Sequence, residues 1–161
     1  MAIAKAFSLF SMKTGDKKEP KNLHIIFVKK DGSVVQDATQ IQAAQVAAKG
    51  TQLTARLVDS HPELLTTTQF SKEVEALVQE HSTKVKLTEI VGDELAAKGY
   101  GGLHGVGKAA NCPPRLIILE YDGSNGKTVE TVALVGKGIV YDTGGLSLKP
   151  KVGMCGMKHD M

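Results

Sequence analysis

The sequence predicts an α/β fold, layered as helix, sheet and helix. Two stretches carry helical periodicity, short apolar runs lie around them, and Gly- and Asp-rich turns separate the two kinds of segment. Residues 23–28 (LHIIFV), then Asp31-Gly32, then Val34-Val35 read as a hairpin that turns at Asp31-Gly32. Ala38, Ile41, Ala44, Gln45, Ala48, Leu53, Leu57 and Val58 predict one long helix. Asp37 caps it, Gly50 weakens its middle and His61-Pro62 ends it. Thr67 or Thr68 is placed to cap a second helix, because Phe70, Val74, Leu77 and Val78 recur on one helical face. Val85-Lys86-Leu87 alternates as a strand does, and residues 93–98 predict a short helix closed by Gly99. The glycine-rich stretch 99–107 predicts a tight loop. Residues 115–121 and 128–136 are apolar runs joined by the turn Asp122-Gly123-Ser124-Asn125-Gly126, and 131–135 has the makeup of a buried strand.

Composition narrows the class of function. An apolar fraction of 42% and a charged fraction of 23% over 161 residues describe one soluble globular domain of ordinary size. Aromatic residues make up only 4% and Trp is absent, which argues against a base-stacking nucleic-acid surface. The net charge of +3 is concentrated at the start, where Lys5, Lys13, Lys17, Lys18, Lys21, Lys29 and Lys30 face only Asp16 and Glu19. A solvated basic arm is the reading there, not a nucleic-acid or membrane patch. No window approaches the roughly 18 apolar residues of a membrane span, and the opening residues lack the apolar core of a secretion signal. Cys112 and Cys155 form neither a framework nor a CxxC pair, so a reducing, cytoplasmic setting is expected.

Two constellations could carry chemistry. The string GYGGLHGVGKAA at 99–110 could cradle a phosphate through its backbone amides. Its Gly105-Val106-Gly107-Lys108 has no Ser or Thr after the lysine and no GxxxxGK frame before it, so a nucleotide loop is set aside. His104 within it reads as a packing or surface histidine. The second constellation is VGKGIVYDTGGLSLKPKVGMCGMKHDM at 135–161. Lys137 and Asp142 follow the apolar run, where functional residues gather in α/β folds. Gly144-Gly145 permits a reversal that returns Lys149 toward Asp142, and Asp160 adds a second carboxylate. Such a group could hold a metal ion and stabilise a developing negative charge. By spacing alone, solvated charges on a loop remain the better reading.

The string itself closely resembles the metal-binding segment of the leucyl (cytosol) aminopeptidase family, especially its animal probable-aminopeptidase-like branch. The family pattern is V-G-K-G-[IL]-x-[FY]-D-[ST]-G-G-[IL]-[SN]-[LI]-K, with Met and Asp at fixed distances beyond, and every position is matched. Upstream, LTARLVDSHPELLTTTQF and ELAAKGYGGLHGVGKAANCPPRLIILEY resemble the start of the family's catalytic domain. The resemblance assigns residues 38–161 to the N-terminal part of that domain. Residues 1–37 become a basic arm and hairpin, the remnant of a separate N-terminal domain.

The resemblance implies a pair of divalent ions, Zn²⁺ or Mn²⁺, that hold a bridging water and polarise a scissile peptide. Lys137 would be a neutral amine ligand, Asp142 would be shared by both ions, and Asp160 would bind the same ion as Lys137. Lys149 would stay protonated and stabilise the oxyanion, and Met157 would line the pocket for the substrate's first side chain. Cys155, nearby in sequence, reads as a small neutral side chain. Peptide substrates and a hexameric homo-oligomer are implied as well. The family's second signature, N-T-D-A-E-G-R, is absent from these 161 residues. It supplies the remaining carboxylates and an arginine that holds bicarbonate. The expectation is therefore a truncated form or fragment of an aminopeptidase, inactive alone and marginally stable. The alternative is a non-catalytic interaction or assembly module of a hexameric aminopeptidase.

Overall fold

The computed structural model describes residues 2–7, 10–15, 24–80, 84–124, 126–127 and 130–157. The chain divides into two compact units, Met1–Ser60 and His61–Met161.

In the first unit, α1 (Ala2–Ala6) packs on α2 (Ala38–Asp59) and buries Ala4. Helix α2 starts where expected, because the Asp37 carboxylate accepts from the N–H groups of Thr39 at 3.0 Å and Gln40 at 3.1 Å. The helix runs through Gly50 and stops at Ser60, whose backbone turns extended and whose hydroxyl donates to the Arg56 carbonyl. The hairpin forms at the expected turn as one antiparallel bridge, Val28 to Val34, not as two strands. Asp31 fixes that turn by accepting from the N–H and the hydroxyl of Ser33. Ile25, Phe27 and Val35 from the hairpin and Ile41 and Ala44 from α2 line one apolar groove. Leu23, the first residue of the expected run, lies outside the described residues.

The second unit is a mixture of helices with a small sheet, in keeping with the α/β expectation. Strands β1 (Val85–Val91) and β2 (Arg115–Tyr121) pair antiparallel, from Val85 opposite Tyr121 to Val91 opposite Arg115. Helix α3 (Thr67–Glu80) lies against β1. Its cap is Thr66, one residue earlier than expected, whose hydroxyl accepts from the Gln69 N–H at 3.2 Å. Thr67 is drawn elsewhere, donating its hydroxyl proton to the Pro113 carbonyl at 2.8 Å. Helix α4 (Asp93–Ala97), followed by Gly99, carries Leu95, the most deeply buried side chain among the described residues; Leu65, Ile90 and Pro114 of this unit are buried as well.

Two expectations are corrected. The glycine-rich stretch is not a loop, because residues 101–107 form helix α5 (Gly101–Gly107). Packing overrides a propensity cost of about 1 kcal/mol per glycine. A Cβ on Gly107 would sit 2.9 Å from the Pro114 ring Cγ, so only glycine allows this helix end to close on the proline. The run 131–135 is not a buried strand. Val132, Leu134 and Val135 are 76%, 95% and 98% exposed. A strand exists through its ladder, and among the described residues this run meets no partner backbone.

One polar network crosses the second unit. The Arg115 guanidinium donates to the Glu89 carboxylate at 2.9 Å, with both side chains over four-fifths buried. Ser71 donates its hydroxyl proton to the same carboxylate, and Arg115 also reaches the Thr68 hydroxyl. Glu89→Ala should lower stability by about 2–3 kcal/mol in urea unfolding, because the arginine is left buried without its counter-charge. Lys86→Ala, which breaks the exposed Lys86–Glu120 pair on the same sheet, should leave the midpoint unchanged. Equal midpoints for both variants would show that the network carries no stability.

Candidate functional site

The site is built by one local reversal. After the exposed run, the Asp142 carboxylate turns onto its own chain and accepts from the Gly144 N–H through Oδ1 at 2.7 Å. Gly144 and Gly145 follow with φ of 90° and 65°. A side chain at 144 would be strained by that φ and would also collide with the Ser147 carbonyl, so glycine is required there twice over. The loop closes when the Lys149 N–H donates to the Thr143 carbonyl at 2.9 Å. Pro150 then starts the short helix α6 (Lys151–Met154), and Tyr141 is tied to it by its hydroxyl, 3.7 Å from the Met154 sulfur.

This closure delivers Lys149 to Asp142. The ammonium lies 2.8 Å from Asp142 Oδ2 and 2.8 Å from Met157 Sδ. The Lys149 side chain is 28% exposed and that of Asp142 42%. Lys137 is near enough for its charge to act on the Asp142 carboxyl. Three of the five residues singled out in the sequence therefore come together, Lys149 meeting both Asp142 and Met157, and Lys137 acts on Asp142 through its charge. Asp160 lies outside the described residues. The Cys155 thiol is exposed and donates to the Lys151 carbonyl.

Sequence reasoning missed the Gly144 amide as a donor to Asp142. The signal was there, since Asp followed two residues later by Gly has the spacing of an Asx turn. It also missed that His104 Nε2 and Asp93 Oδ1 lie 3.1 Å apart beside a small cavity bounded by Lys108, Asn111 and Pro113. Asp93 and His104 stand on different helices, α4 and α5, and the second of these was expected to be a loop. Among the described residues no three His, Cys, Asp or Glu side chains gather at one point.

The Asp142 carboxyl is held below its ordinary value, first by the hydrogen bond from Lys149, then by that from Gly144, with the lysine charges adding. A depressed folded value means the contact is complete above the unfolded carboxyl pKa, about 3.9, and is lost as pH falls through the lower folded value. A carboxyl ¹³C titration should place Asp142 below that reference, and Lys149→Met should move its midpoint up. An unmoved midpoint would show that the lysine does not hold the carboxylate in solution.

Comparison with known proteins places these residues in a family. Residues 52–161 match the cytosol aminopeptidase family, catalytic domain. The human protein named probable aminopeptidase NPEPL1 is 41% identical, over 99% of this chain and 30% of its own length. Leucine aminopeptidase 1 of Caenorhabditis elegans is also 41% identical, over 99% of this chain and 31% of its own. The solved structure of the C. elegans leucine aminopeptidase superposes with a TM-score of 0.78 at 38% identity, covering 98% of this chain and 30% of that one. Leucyl aminopeptidase from Trypanosoma brucei, solved with bestatin, gives 0.67 at 46% identity, over 73% of this chain and 22% of that one. The chain thus spans about 30% of the length of the curated relatives it matches. With more than half of its residues in that match, the chain belongs to the cytosol aminopeptidase family.

Proposed function

We propose that this chain carries the front part of a metal-dependent aminopeptidase site and that, alone, it hydrolyses no peptide. The substrates of the lineage are peptides with a free, leucine-like N-terminal residue, a reading supported by relatives named leucine aminopeptidase. A cytoplasmic setting belongs to the same reading, supported by the family's own description.

The described residues do not fit a pair of divalent ions. Each ion needs several oxygen, nitrogen or sulfur donors. Among the described residues Asp142 brings the one carboxylate of this cluster, and its two oxygens accept from Gly144 and Lys149. What the geometry does supply is a protonated lysine held in place by backbone and side chain together, beside a thioether. That is an anchored positive charge, suited to an oxyanion, without, among the described residues, the partners that would generate a nucleophile. This one-carboxylate arrangement carries the proposal of a silent module.

The test is hydrolysis of leucine p-nitroanilide by the purified chain with Mn²⁺ or Zn²⁺. The expected rate equals that of Lys149→Ala. A metal-dependent rate abolished by Lys149→Ala would overturn the proposal.

A second reading, that the chain works as an assembly module within a homo-oligomer, is favoured by the bare run at Val132, Leu134 and Val135. Extended apolar backbone with open hydrogen-bonding groups pairs readily with another chain. Light scattering should find the wild type self-associated and Leu134→Ser/Val135→Ser shifted toward monomer. A monomeric wild type at high concentration would defeat this reading.

A further inference from the structure

We propose that the hollow between α4, α5 and the Pro113-Pro114 turn binds a small free amino acid in its zwitterionic form. The hollow shares no residue with the Asp142–Lys149 reversal, and the proposal does not depend on the functional reading. Part of its wall is the glycine-rich segment, which that reversal leaves without a role. Its volume is about 230 Å³. That is below the roughly 300–1,000 Å³ of a drug-sized site, so its occupant is a small molecule.

The walls are set before any ligand arrives. The Gly92 N–H donates to the Pro114 carbonyl at 2.9 Å, and the Thr67 hydroxyl donates to the Pro113 carbonyl at 2.8 Å. The Tyr100 N–H ties α5 to α4 by donating to the Leu95 carbonyl at 2.7 Å. Pro114 is buried and Gly107 closes on its ring, which fixes the floor. A wall already in place costs an incoming ligand little ordering entropy.

Charge then selects the occupant. Asp93 and Lys108 both line the hollow without pairing to each other. Asp93 takes His104 as its partner, Oδ1 lying 3.1 Å from Nε2, and Lys108 makes no ion pair among the described residues. Lys108 follows His104 by one turn of α5, so the imidazole stands beside both charged groups. A simple anion drawn by Lys108 would meet the Asp93 carboxylate, and a simple cation drawn by Asp93 would meet the Lys108 ammonium. A zwitterion satisfies both, with its ammonium on Asp93 and its carboxylate on Lys108 and the Asn111 amide. That amide makes no side-chain hydrogen bond among the described residues. Ala110 and the two prolines leave an apolar surface for a short aliphatic side chain.

The experiment records ¹H–¹⁵N correlation spectra of the purified chain during titration with L-alanine, propionate and ethylamine. L-Alanine should shift the amides of Gly92, Lys108 and Asn111 saturably. Propionate and ethylamine each carry one of its two charges and should bind at least about fivefold more weakly, the worth of one charge at contact in water. Lys108→Met and Asp93→Asn should each weaken L-alanine by the same factor. Lys98→Met, which breaks only the exposed Lys98–Glu94 pair, should leave it unchanged. Lys108→Gln replaces the Met variant if circular dichroism shows that variant unfolded. Propionate bound as tightly as L-alanine marks a plain anion site and overturns the proposal. So does a wild type that L-alanine fails to shift saturably, or a folded Lys108 variant that binds it undiminished.

Discussion

The pairing of Glu89 with Arg115 is the constraint on which the second unit depends. Both residues lie on the only two strands among the described residues, and a two-stranded sheet has little stability of its own. Among the described residues of this unit the fully buried apolar side chains are few. The ion pair therefore does what a larger core does elsewhere. It bridges the two strands diagonally, and through Ser71 and Thr68 it draws α3 onto them. A buried pair is a weak source of net stability but a strong source of specificity of this kind, since any other docking of α3 strands a charge. Helix α4 then hangs from the end of β1, with the Gly92 N–H on the Pro114 carbonyl closing the far end of the sheet.

Local chemistry made much of this legible in the sequence. Asp37 has one role open to it before a long helix, and it fills that role. The Asp31-Gly32 turn, the strand at 115–121, the start of the strand at 85–87 and the helix beginning at Asp93 were equally local, whereas the continuation of β1 to Val91 was not read. Where reading failed, the deciding partner lay far away in sequence. Gly101–Gly107 is helical because Pro114 accepts the close approach of Gly107 and because Asp93 reaches His104, neither of which is visible in a seven-residue window. Thr66 takes the cap of α3 because Thr67 is claimed by Pro113.

The run 131–135 shows the opposite case. Its composition states a strand correctly as a preference, but β-propensity measures fit to a half-buried pleated surface, not an intrinsic backbone state. Without a neighbouring ladder the preference has nothing to act on, and Leu134 and Val135 remain in solvent. The same residues in a chain that offered a partner edge would not need to change.

The candidate site divides along the same line. Asp142, Gly144 and Lys149 lie within eight residues, and their geometry follows from a glycine turn that sequence can announce. Lys149 to Met157 is likewise short-range. What sequence cannot announce is the occupant of Asp142. A resemblance names the residues that could face a metal, whereas the sign of the local charge decides what they face. Here a loop that returns a lysine to its own carboxylate produces a neutral, self-satisfied pair with a further lysine beside it. The chemistry of the motif is therefore conditional on which charged groups stand beside Asp142, and the turn at Gly144 sets only the first of them.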